Sequence, residues 1–201
     1  MANDKILNMS FAAYQNLEEK VGDWLLLSTV VIRDRRGCDS VGRVPILDMA
    51  AEYITSEDLK SVEGSIAFLT EFLKGGASFL TLLSSRLKMT TLVDLFDRAN
   101  FGVKRKFASM FFVMLDVCTD IQFEALCVGQ IFQKFIQFTT LNGEDEDLVY
   151  EAQVILDRFS RVGFNPRRCF GRDYVDIVYP LVEIIPSCVE YEFIQQLLDE
   201  R

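Results

Sequence analysis

FGVKRKFASMFFVMLDVCTDIQFEALCVGQIFQKFIQFTTL, residues 101–141, is the stretch that decides the fold. After the basic start at Lys104, Arg105 and Lys106, residues 103–117 are apolar nearly all round, the pattern of a helix buried among other helices. Asp120 is placed to cap a second helix that runs through Ile131, Phe135 and Phe138 to Leu141. Asn142-Gly143 then breaks the chain. No strand-like alternation intervenes, so the expectation is an all-α protein.

The same pattern extends in both directions. Downstream, Glu144–Asp147 suit a helix N-terminus, and Leu148, Ala152, Ile155, Leu156 and Phe159 form a stripe that closes at Val162, before Gly163 and Pro166. Asp173 opens a further helix to Ile185, kinked at Pro180, and Pro186-Ser187 separates a last one over Val189–Leu198. Upstream, Ser56 is the expected N-cap, with Glu57 and Asp58 in the first turn. The helix it starts carries Leu59, Val62, Ile66, Leu69, Phe72 and Leu73 on one face and ends at Gly75-Gly76. Shorter helices are expected at Ser78–Leu87 and at Thr91–Ala99, the latter capped by Thr90, with a turn at Asn100-Phe101-Gly102. A first helix is read over Phe11–Arg33, a polar loop over 33–45 and a short helix over Ile46–Ile54. The organisation expected is a single domain over 1–201, less regular over 1–55 and built of stacked helices over 56–201.

The composition narrows the function classes. Half of the 201 residues are hydrophobic and 17 are Phe, which is ample for a core. A net charge of −9 disfavours general RNA or DNA binding and anionic membranes. There is no histidine, so Ser–His and Cys–His nucleophile pairs are impossible and the commonest metal ligand is missing. No P-loop, GxSxG, GxGxxG or HExxH occurs. The chain therefore reads as a non-enzyme with no cofactor and no metal. Asp116, Asp120 and Glu124 could share a face for acid–base work if one helix ran through them, but helix caps explain them better. Cys38, Cys118, Cys127, Cys169 and Cys188 are odd in number and widely spread, which suits reduced, mostly buried thiols in the cytoplasm or nucleus. Residues 1–10 are polar and unlike a signal peptide, and the apolar stretches Trp24–Ile32 and Phe107–Leu115 are too short to span a bilayer.

Leu92-Val93-Asp94-Leu95-Phe96, followed by Asn100 and Val103-Lys104-Arg105-Lys106-Phe107-Ala108, resembles an armadillo repeat junction. Glu146-Asp147-Leu148 through Arg161-Val162-Gly163 is similar to the last helices of MIF4G-type HEAT domains. The resemblance is one of pattern over residues 56–199 and does not extend to the first 55. It implies antiparallel helix pairs stacked as a short armadillo/HEAT-like α-solenoid, and a binding scaffold in place of chemistry. A compact irregular helical bundle is the alternative architecture.

The strongest local feature is Arg158, Arg161, Arg167, Arg168 and Arg172, interleaved with Phe159, Phe164 and Phe170. Arginine forks grip carboxylates and phosphates, and Phe164 or Phe170 could anchor a partner. The partner expected there is a protein with an acidic or phosphorylated segment, bound in a helical groove. Otherwise Phe159 and Phe170 pack inward and the arginines are solvated or paired with Asp157 and Asp173. Arg33, Arg35, Arg36 and Arg43 form a second basic group, better read as a solvated loop. Lys104, Arg105 and Lys106 form a third, whose consecutive residues cannot share a helix face. Two other roles stay open: an RNA-associated MIF4G-like adaptor, and a subunit of an obligate oligomer that uses Phe111, Phe112, Phe132 and Phe135 as an interface.

Overall fold

In a computed structural model of the chain, the residues described are 46–161 and 180–191, together with Leu25, Thr29, Ile194 and Gln195. They are helical and contain no strand. The helices are α1 (Ile46–Tyr53), α2 (Leu59–Leu73), α3 (Ala77–Ser84), α4 (Met89–Arg98), α5 (Phe101–Val117), α6 (Asp120–Val128), α7 (Ile131–Leu141) and α8 (Glu146–Arg161). Residues 180–184 are also helical, and Pro186–Glu190 form a 3-10 turn. The chain divides into two compact units, Met1–Val117 and Cys118–Arg201.

The first unit is organised around α2 and α5, which pack against each other; α2 also meets α1 and α3, while α5 meets α3 and α4. Asp58, not Ser56, caps α2. Its carboxylate accepts from the Ser61 N–H at 2.9 Å and the Ser61 hydroxyl at 2.6 Å, which holds its pKa below the usual carboxylate value. Ser56 stands two residues ahead, where its hydroxyl accepts from the Asp58 N–H at 3.1 Å. Ile66, Leu69, Phe72 and Leu73 are buried as their spacing predicts, but Leu59 is 52% exposed. Phe68 and the small residues Ser61, Gly64 and Ser65 are buried as well, so α2 covers a wider arc than one stripe. The end at Gly75-Gly76 has a backbone cause, because Gly76 sits at φ +114, a conformation that an L side chain rarely adopts.

Two aromatic pairs of this unit meet edge to face. Phe79 stands against Phe72 at 4.8 Å, and Phe96 against Phe107 at 6.3 Å; Phe111 lies 5.5 Å from Phe96. α4 begins at Met89 after Lys88, which makes no side-chain cap, so Thr90 lies inside the helix. The expected turn at Asn100-Phe101-Gly102 is tighter than its composition suggests. The Asn100 side-chain carbonyl accepts from the Val103 N–H at 3.0 Å, and α5 begins at Phe101.

In the second unit, consecutive helices pack together: α6 on α7, and α7 on α8. Thr119, not Asp120, caps α6, in a reciprocal capping box with Gln122. The single helix expected over 120–141 is in fact two. Gly129 and Gln130 interrupt it, and Gln130 takes the left-handed conformation at φ 63. Asp145 accepts from the Leu148 N–H at 3.0 Å, so the acidic run opens α8, whose Leu148, Ala152, Ile155 and Leu156 are buried. Pro186 opens a 3-10 turn where a plain break was expected. The expected helices over Phe11–Arg33 and 173–185 and the loop over 33–45 lie wholly or largely outside the described residues.

Candidate functional site

Of the arginine–phenylalanine cluster, Arg158 and Arg161 fall on α8, while Phe164, Arg167, Arg168, Phe170 and Arg172 lie outside the described residues. Arg158 is half-buried, and its guanidinium donates to the backbone carbonyl of Cys118, just ahead of the α6 cap. It thereby ties α8 to the start of α6. Its neighbour Asp157 accepts a hydrogen bond from the Tyr191 hydroxyl. One turn earlier, the Gln153 amide donates to the Ser187 hydroxyl at 3.4 Å. Gln153 and Asp157 share a helix face, so that face of α8 holds the segment around the 3-10 turn. Arg158 thus has a structural contact whatever else it does.

Cys118 and Cys127 are buried thiols that form no disulfide. Burial pushes the Cys118 thiol up to about 11, against the opposing pull of the nearby Arg158 charge. A thiol so protonated is a packing group rather than a nucleophile. Cys38 and Cys169 lie outside the described residues.

The other candidates separate in space. Lys104 lies 5.5 Å from the centre of the Phe96 ring, the Arg105 guanidinium donates to the Ser109 hydroxyl at 2.7 Å, and Lys106 pairs with Glu63 at 3.0 Å. The three basic residues point to three different neighbours and form no common patch. Between Asp116 and Asp120 the helix ends, so the register that would have aligned them is lost. Of the phenylalanines proposed for an oligomer interface, Phe111, Phe132 and Phe135 are core residues and Phe112 is half-buried. Arg33, Arg35, Arg36 and Arg43 are outside the described residues. Among the described residues no three His, Cys, Asp or Glu are gathered as a metal would need, and no helix is long and apolar enough to cross a membrane.

One surface is visible in the structure and was missed in the sequence. α6 buries Phe123, Leu126 and Cys127. Its other side carries Ile121 at 83% exposure and Val128 at 80%, with exposed Ala125 between them and Glu124 alongside. Positions 121, 125 and 128 follow the i, i+4, i+7 spacing of one helix face. Nine residues therefore hold two apolar stripes, one spent on the core and one facing out. Leu141, at the end of the adjoining α7, is 84% exposed. The signal was present in the spacing, but reading 120–141 as one helix hid it.

Comparison of the chain with protein-family models, with curated proteins and with solved structures found no match.

Proposed function

We propose that the chain is a non-enzymatic helical interaction module of the armadillo/HEAT kind, which holds a partner protein on its outer helix faces. The observation that carries this reading is the outer face of α6. Single exposed apolar residues are ordinary, but Ile121, Ala125 and Val128 line up over two turns with little cover. A helix that is apolar on both sides is one whose second side has work outside the unit's own core. Successive packing of α6, α7 and α8 is the arrangement such repeat modules use. Buried thiols that form no disulfide suit a reducing compartment, cytoplasmic or nuclear. The segment from Arg158 to Arg172 is a second proposed contact surface, suited to an acidic or phosphorylated stretch of the partner.

The test places a photo-crosslinking amino acid at position 125 and, separately, at an exposed control position such as 85, in cells that express the protein. Protein adducts at 125 and not at 85 are the expected result. Their absence at 125 overturns the module reading for this face. Charge reversal at Arg167 and Arg168 tests the second surface, and an unchanged affinity for the captured partner eliminates it.

A further inference from the structure

We draw no further inference here: the strongest candidate, the exposed apolar face of α6 formed by Ile121, Ala125 and Val128, carries none, because nothing in the structure shows what covers it.

Discussion

α2 and α6 are both rich in apolar and small residues, yet they use them in opposite ways. In the first unit α2 buries Ser61, Gly64, Ser65, Ile66, Phe68, Leu69, Phe72 and Leu73 among α1, α3 and α5. In the second, α6 buries Phe123, Leu126 and Cys127 and leaves Ile121 and Val128 outside. Apolar content alone therefore does not identify core. Among the described residues, the main packing of α2 is against α1, α3 and α5, whereas that of α6 is against α7. An apolar stripe as exposed as Ile121 and Val128 is the place to look for a partner.

The contrast can be broken by substitution. Phe111→Ala removes a fully buried ring that meets Phe96 and Phe107, and a loss of about 3–5 kcal/mol in unfolding free energy is expected by denaturant titration. A loss near zero would mean that the first unit is loosely packed and no different from the outer face of α6.

The next effect sharpens the account of the second unit, whose inner side should be as dry as that of the first. The Cys118 thiol is raised from 9.0 to about 11 in the folded state, so between those values the folded chain holds a proton that the unfolded chain has released. Stability is then complete below about pH 9 and falls as pH rises towards 11, by about 2 kcal/mol at most. Cys118→Ala should flatten this part of the stability–pH curve relative to wild type. Curves of equal slope would show that the thiol is not shielded from water.

A smaller effect runs the other way. The Ser65 hydroxyl is buried on α2 without a hydrogen-bond partner. Ser65→Ala should raise stability by about 1 kcal/mol, because it removes the desolvation cost of that oxygen while keeping the small side chain. A drop in melting temperature would show that the hydroxyl has a role that the packing does not reveal.

Much of this organisation was legible in the sequence. The 3.6-residue spacing placed the inner face of α2 and that of α8, and Gly75-Gly76 and Asn142-Gly143 marked two of the breaks. The caps were harder, because each helix start offers several competent residues. Asp58 prevails over Ser56, and Thr119 over Asp120, through side-chain bonds that form only once the first turn is in place. The break between α6 and α7 was hidden because Gln130 holds a left-handed conformation more often taken by glycine, asparagine or aspartate. Missing that break merged two helices and concealed the outer face of α6. Arg158 was legible as a candidate but not its bond to the Cys118 carbonyl, since forty positions separate the two residues.

The smallest expected change in stability carries the most weight. Ile121→Ser with Val128→Ser should leave the unfolding free energy within about 0.5 kcal/mol of wild type, because both side chains already face water. Measured with the crosslinker at position 125, the same double variant should lose the protein adducts that the wild type forms. Unchanged stability with lost adducts is the result predicted for a binding face. A stability loss of several kcal/mol, or adducts that persist at full yield, would contradict it.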